Sequence, residues 1–571
     1  IQDVLIRSAV DLIGVKKPNY QFVASRLLLT KVRKDIWNSY TPPKLIDIVL
    51  TNSKSGFYDK DLPELYTSKE WDILDSYINH DRDENLTHAA MYSFVDKYLV
   101  KNRVTGQLFE TPQIAYMLVA AILFKGQSLS KVKEFYDALS LHKISMATPI
   151  LAGVRTSVKQ YSSCVLIEAD DSLDSQFATA TAVGQYVAQK AGIGLNFGRI
   201  RGIKAPIRGG EVVHTGAVGF VQMIQSTINY CSQGGIRKGS ATLFYPVWHI
   251  DCEQFLVLKN NKGTPETRAR FLDYGVGLSK LFYERYQKRL NITLFDPNDY
   301  PELYNEFGSE NWDELYKKAE AEAPRGKTRV VSAVDLIDAL LSERAETGRI
   351  YIFNIDHANT HSSFTVPIRQ SNLCVEVTLP TKPFQSLSDN SGEIATCMLA
   401  AVNLLSIESA ADVEPLCKLL VRALDAIIDL QDYPFIMSQI SSTKRRSIGV
   451  GYINWAAYLA KNSFAWDSEN TLRAAHEITE SLQYFLLKAS NDLAKERGPC
   501  EYFNQTKYSK GILPIDTYKK TIDSFANFPY KRDWEALRAS ILESGLRNST
   551  LTCVMPSESS SVTSNATNGI E

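Results

Sequence analysis

Asn372, Cys374 and Glu376 occupy every second position of "SNLCVEVTLPTKP", residues 371–383, and the residues between them are Leu and Val. In a β-strand successive side chains point to opposite faces. A strand here would put an amide, a thiol and a carboxylate on one face and Leu373, Val375 and Val377 on the other. Such a polar face does not serve packing. A neighbouring carboxylate raises a thiol's pKa and weakens it as a nucleophile. The pattern therefore disfavours cysteine-protease chemistry and favours a sulfur acting as a one-electron centre beside a general base.

Two further cysteines have distinctive surroundings: Cys164 in "KQYSSCVLIEADDSLDS", opening an apolar strand-like run, and Cys397 in "NSGEIATCMLAAVNLLSI", just after a polar turn. Together the three suggest a redox pair with a working thiol. A single cysteine is ordinarily a small buried hydrophobe, and that role is assigned to Cys252, Cys417, Cys500 and Cys553. The sequence has no CxxC and no Cys/His cluster, so a structural zinc site is not expected.

Two stretches suit phosphate. "MPSESSSVTSNATNG", residues 555–569, sets hydroxyls after Pro556, either as a loop offering Ser side chains and N–H groups to phosphate or as a solvated Ser-rich loop. "CSQGGIRKGSAT", residues 231–242, is a flexible basic loop able to fold around a nucleotide. It lacks GxxxxGK[ST] and is not a P-loop.

These residues need elements to hold them. Residues 1–145 read as a helical domain: "DVLIRSAVDLIG", "FVASRLLLTKVRKDIW" and "TPQIAYMLVAAILF" carry apolar residues at helical spacing. From 146 to 571, short β-branched or aromatic runs ("SSCVLIEA", "IGLNFGRI", "GRIYIFNID", "NLCVEVTL") alternate with helices such as "AAHEITESLQYFLLKASNDLAKERG". That alternation implies an α/β sheet or barrel. At 571 residues, 44% hydrophobic and 22% charged, with net charge −1, the chain is an ordinary globular enzyme with no electrostatic case for nucleic-acid or membrane partners. Eight cysteines in this length suit a reducing cytosol, and a cytoplasmic location is expected.

Taken together and in order, "NRVTGQ", "YSSC", "CSQGGIR", "LKNNKG", the Cys374 segment with its "PTKP", and "MPSESSS…SNATNG" resemble the large, catalytic subunit of class I ribonucleotide reductases of the aerobic bacterial and phage type. The resemblance runs over essentially the whole chain. It implies a ten-stranded α/β barrel of two five-stranded halves, preceded by the helical domain. It implies that Cys374 is the thiyl radical taking the 3′ hydrogen of a ribonucleotide, Glu376 the base on the 3′-hydroxyl and Asn372 an orienting hydrogen-bond partner. Cys164 and Cys397 would be the dithiol that protonates the departing 2′-hydroxyl and ends as a disulfide. Substrate would be held by Thr148, Ser163, Asn372, Glu558, Ser559 and Ser560. A (deoxy)nucleoside triphosphate effector would bind Asp171, Ser172 and Leu173, with Arg201 and Arg208 at its phosphates, and a loop with Gln233 and Arg237 would carry its identity to the substrate base.

The implied partners are a small radical-generating subunit holding the dinuclear metal/radical cofactor, a thioredoxin- or glutaredoxin-type reductant, and a second copy in a homodimer. Lys238 and Ser240 replace the family's small residues after "GGIR", so effector preference is expected to differ. The chain opens without Met, as if within the last helices of the family's N-terminal ATP cone, and stops in "SNATNGIE". The resemblance places the radical-relay tyrosines, the last strands and the tail cysteines beyond that point, and a separate C-terminal polypeptide is one expectation. An alternative reading is a chain that binds effector and dimerises but is inactive until completed.

Overall fold

The structure is a computed structural model describing residues 1–231, 239–324 and 326–570. Its main sheet has eight strands: β1 (Ile144–Met146), β2 (Cys164–Glu168), β3 (Gly192–Asn196), β4 (Ala241–Pro246), β5 (Asp273–Leu278), β6 (Ile350–Asn354), β7 (Ala395–Asn403) and β8 (Ile448–Ile453). Strands β2, β3, β4, β5 and β6 are consecutive parallel neighbours. Strand β7 joins that block by pairing antiparallel with β2, and it also pairs antiparallel with β1 and parallel with β8. The result is a curled mixed sheet, a half-barrel, behind a helical N-terminal region.

Parallel strands need crossover connections, and helices supply them: Leu173–Ala188 lies between β2 and β3, Val218–Cys231 between β3 and β4, and Ala333–Thr347 precedes β6. With helices covering its faces, the sheet buries every residue of β2, β4, β5 and β7. The 29-residue helix Glu469–Arg497 ends at Gly498, whose φ of +82° is one glycine adopts without strain.

The apolar core has two parts. One surrounds β2–β6. The other joins the N-terminal helices to Val413–Leu430, Glu469–Arg497 and β8, so the helical region shares a core with the second part of the sheet. The wholly buried helix Pro112–Leu123 lies in it. Below that helix Glu110, fully buried, accepts from Tyr58 Oη at 2.6 Å, from the Val100 N–H at 2.7 Å and from Arg155 Nε at 2.7 Å. This knot fixes the segment running from Thr148 to Arg155 beside β2.

One local expectation fails. Residues 371–379 are not a strand: 373–375 form a turn, and no residue of the segment joins the sheet. Period-two patterning offers a strand, but among the described residues this segment has no strand neighbour to accept its ladder hydrogen bonds. Several of its backbone groups bond to side chains instead, those of Ser371 and Asn372 within the segment and Thr242 from β4.

Candidate functional site

The turn is organised by Asn372. Its Oδ1 accepts the backbone N–H groups of Glu376 and Val377, each at 3.1 Å. Ser371 Oγ donates to the Val377 carbonyl at 2.6 Å. The closure forces Val375 to φ +64°, a left-handed conformation that is costly for a β-branched residue. Strand β3 makes room underneath. A Cβ on Gly194 would fall 2.0 Å from the Ser371 carbonyl oxygen, and one on Gly192 would fall 2.7 Å from Leu373 Cδ2. The two glycines are two apart, so they clear one face of β3, and Thr242 on β4 pins the loop by donating to the Leu373 carbonyl at 2.7 Å.

This places the loop against Cys164 at the start of β2. Asn372 Nδ2 donates to Cys164 Sγ at 3.1 Å, and Cys164 Sγ lies 3.6 Å from Glu376 Oε1. Cys397 stands directly opposite Cys164 in the β7–β2 ladder. Opposed residues of an antiparallel pair have Cα atoms about 4.5–5.5 Å apart, within the span a disulfide bridges. All eight cysteines are thiols here. Cys374 sits at the exposed crest of the loop.

Burial, and then the Glu376 charge, push the Cys164 thiol far above its ordinary range; burial followed by Cys164 and Glu376 does the same to Cys397. Both are thereby held as S–H. Burial raises the Glu376 carboxyl as well, opposed by its hydrogen bonds from Asn372 and Cys164. Its Oε2 is buried without a hydrogen-bond partner among the described residues. The centre thus offers two protonated thiols and a carboxylate with unused accepting capacity, near a surface thiol.

Cys553 bears out the sequence reading of a buried core cysteine and adds a contact to it. Its Sγ donates to the Glu376 carbonyl at 3.5 Å. With Glu376 and Cys397 it lines a cavity of about 50 Å³. Its flanking residues, Thr, Val and Met, gave no signal of this in the sequence.

The other site residues fall into two groups. Near the centre, Ser163 Oγ is 3.7 Å from Cys164 Sγ. Thr148 Oγ1 is 3.0 Å from Tyr98 Oη, Lys97 Nζ donates to Ser559 Oγ at 3.1 Å, and Ser145 Oγ donates to the Ser560 carbonyl at 3.2 Å. Thr148, Ser559 and Ser560 are therefore each tied to the Tyr98/β1 region, and Lys97 adds a cation that sequence reasoning missed. Glu558 is exposed.

The second group lies at the C-terminal end of β2. Asp171 accepts from Arg201 N–H at 2.9 Å and Arg201 Nε at 2.6 Å. Burial, the largest cause, still lifts the Asp171 carboxyl above its ordinary value. Ser172 caps the helix Leu173–Ala188, accepting from Ser175 N–H at 3.1 Å, and Leu173 is 70% exposed. Arg208 is exposed on the turn between the short strands Pro206–Ile207 and Val212–Val213, and Arg201 Nη1 donates to Pro206 O at 2.9 Å. Gln233, Arg237 and Lys238 lie outside the described residues.

The site is thus a half-barrel carrying a buried, cross-strand cysteine pair under a thiol-bearing loop. Residues 162–571 match the family profile "Ribonucleotide reductase, barrel domain", and residues 84–158 match "Ribonucleotide reductase, all-alpha domain". The chain is similar along its whole length to the ribonucleoside-diphosphate reductase subunit alpha of Haemophilus influenzae (52% identical, covering 77% of that protein). It is likewise similar to ribonucleoside-diphosphate reductase 1 subunit alpha of Escherichia coli (51%, 76%) and to the subunit alpha of Enterobacteria phage T4 (43%, 76%). The chain belongs to the ribonucleotide reductase large-subunit family.

Proposed function

We propose that this chain reduces ribonucleoside diphosphates to 2′-deoxyribonucleoside diphosphates at the Cys374 loop. The observation that carries the reading is the cross-strand pair Cys164–Cys397 with Asn372 and Glu376 both on Cys164. A radical-generating partner subunit supplies the oxidising equivalent that makes Cys374 a thiyl, and the relatives' designation "subunit alpha" supports a second kind of subunit. Cys374 then takes the 3′ hydrogen, and Glu376, with Oε2 unsatisfied, takes the 3′-hydroxyl proton. Cys164 and Cys397 give one proton to the 2′-hydroxyl, which leaves as water, and their second proton with two electrons to C2′, ending as a disulfide, while Glu376 returns its proton to the 3′-oxygen. Cys374 returns the hydrogen to C3′. Net, one ribonucleotide and two thiols become one deoxyribonucleotide, one disulfide and one water.

Thiols held as S–H are the form this requires. The diphosphate lies along Thr148, Ser559, Ser560 and Lys97. Glu558 contributes its backbone N–H there, since its carboxylate would repel phosphate. The triphosphate effector takes the Asp171–Leu173 corner with Arg201 and Arg208. Leu173, Phe177 and Tyr230, exposed at 70%, 59% and 90% on two helices packed together, suit a second copy of the chain.

The test is deoxynucleotide formation by the native enzyme containing this chain, with its radical-generating subunit, dithiothreitol and an effector triphosphate. Cys374→Ser is expected to abolish product, and Cys164→Ser or Cys397→Ser to block normal product formation. Normal turnover by Cys374→Ser would refute the reading.

A further inference from the structure

Cys553 has a placement that the pair chemistry does not use. The chain from Leu551 to Cys553 pairs with β8, through Val450 N–H to Leu551 O at 2.8 Å and Cys553 N–H to Val450 O at 3.2 Å. It then crosses over the face of β8 toward β7. A Cβ on Gly451 would lie 2.2 Å from the Cys553 carbonyl, and one on Gly449 would lie 2.8 Å from Cys553 Cβ. That same Gly449 position is 3.4 Å from Cys397 Sγ. One absent side chain therefore leaves the space into which Cys553 and Cys397 both project. Cys553 and Cys397 line the same small cavity, with Glu376 at its wall.

We propose that Cys553 is a third thiol of this redox centre, exchanging with a Cys164–Cys397 disulfide at Cys397 to give a Cys397–Cys553 bond and a free Cys164. The inference rests on the function proposed above, which supplies the disulfide. In the exchange the Cys553 thiolate attacks Cys397 Sγ and the bond from Cys397 to Cys164 breaks. Cys164 leaves as thiolate and takes up the proton that Cys553 lost. No electron is gained or lost. Glu376, which touches Cys553 through its carbonyl and Cys164 through Oε1 at 3.6 Å, lies beside both ends of that proton transfer. Burial, then Cys397 and Glu376, hold the Cys553 thiol well above its ordinary range. The exchange is therefore slow at neutral pH and speeds up about tenfold per pH unit while the thiolate remains the minor form.

The experiment is disulfide mapping of the native enzyme after one turnover without reductant, quenched by acid and alkylated. It is paired with mapping of Cys164→Ser and Cys553→Ala enzymes equilibrated in glutathione redox buffer. The inference expects Cys397 in two bonds in the wild type, a Cys397–Cys553 bond in Cys164→Ser, and Cys164–Cys397 alone in Cys553→Ala. If Cys397 and Cys553 both stay thiols in Cys164→Ser, in a buffer that oxidises Cys164–Cys397 in the wild type, the inference is overturned. Absence of product and of any Cys164–Cys397 bond after the turnover would instead sink the function reading. The Cys164→Ser map, obtained without turnover, would still decide whether Cys397 and Cys553 bond.

Discussion

Two regions meet at Cys164, and they hold their chemical groups by different means. Cys164 and Cys397 are placed by a sheet ladder, in which register alone sets them opposite one another and the flanking aliphatic residues, fully buried, keep that register. Asn372, Cys374 and Glu376 are placed by a loop with no ladder, closed on a single amide and resting on two glycines. The ladder spreads its stability over many contacts. The loop depends on a few, so the two should fail differently: damage to the ladder lowers the stability of the whole domain, while damage to the loop removes activity from a folded protein.

The largest effect is expected from Leu166→Ala in β2, a fully buried side chain opposite Ala395. It should cost about 2–5 kcal/mol of stability in denaturant unfolding yet leave the Cys164–Cys397 disulfide able to form. A variant that folds but cannot oxidise the pair would show that register is not held as described. Next, Gly194→Val drives a side chain into the Ser371 carbonyl and lifts the loop. Activity should fall about 100-fold with the circular dichroism spectrum unchanged, and near-normal kcat/KM would mean that the loop does not rest on β3.

Asn372→Ala leaves the N–H groups of Glu376 and Val377 without their acceptor, at about 1–3 kcal/mol for a group left buried. Faster hydrogen exchange confined to residues 371–378 is the expected signature; unchanged exchange there would count against the amide as the organiser. For pH, the sign follows from burial. In the proposed mechanism Glu376 is ionised to act as base, and burial raises its pKa, so kcat/KM should fall on acidification at a higher pH than the ordinary glutamate value of about 4.3. An acid limb at or below that value would contradict the burial. The smallest effect belongs to Val375→Gly. It relieves the left-handed strain but loosens the unfolded chain, and the two should nearly cancel, within about 1 kcal/mol in thermal unfolding. A larger loss would mean that Val375 packing, rather than its backbone, matters.

Much of this was legible beforehand. The helical region, the strands at Cys164, Gly192 and Ile350, and the long helix closed by Gly498 follow from periodicity and terminal signals that act within a few residues. The loop was misread as a strand because alternation of polar and apolar residues is a local pattern, whereas a strand exists only if a neighbour pairs with it. Cys553 was read as a buried core residue, which it is, but its place beside Glu376 was not legible: its own neighbours are unremarkable, and it gets there by a crossing over β8 enabled by Gly449 and Gly451, about a hundred residues away. Lys97 was missed because a lone lysine in a helical stretch has no signature until Ser559 arrives beside it.

By itself the sequence determined the inventory and the local geometry: which residues could carry thiol, carboxylate and amide chemistry, the α/β alternation that must hold them, and the ordered motifs that mark the family. Tertiary structure alone decided the distances. Cys164 faces Cys397 across 233 positions because two strands pair antiparallel, and Cys553 reaches the same centre because two glycines leave a path. Contacts of that sequence separation depend on loop closure and on the packing of whole elements, quantities that no short window of residues contains.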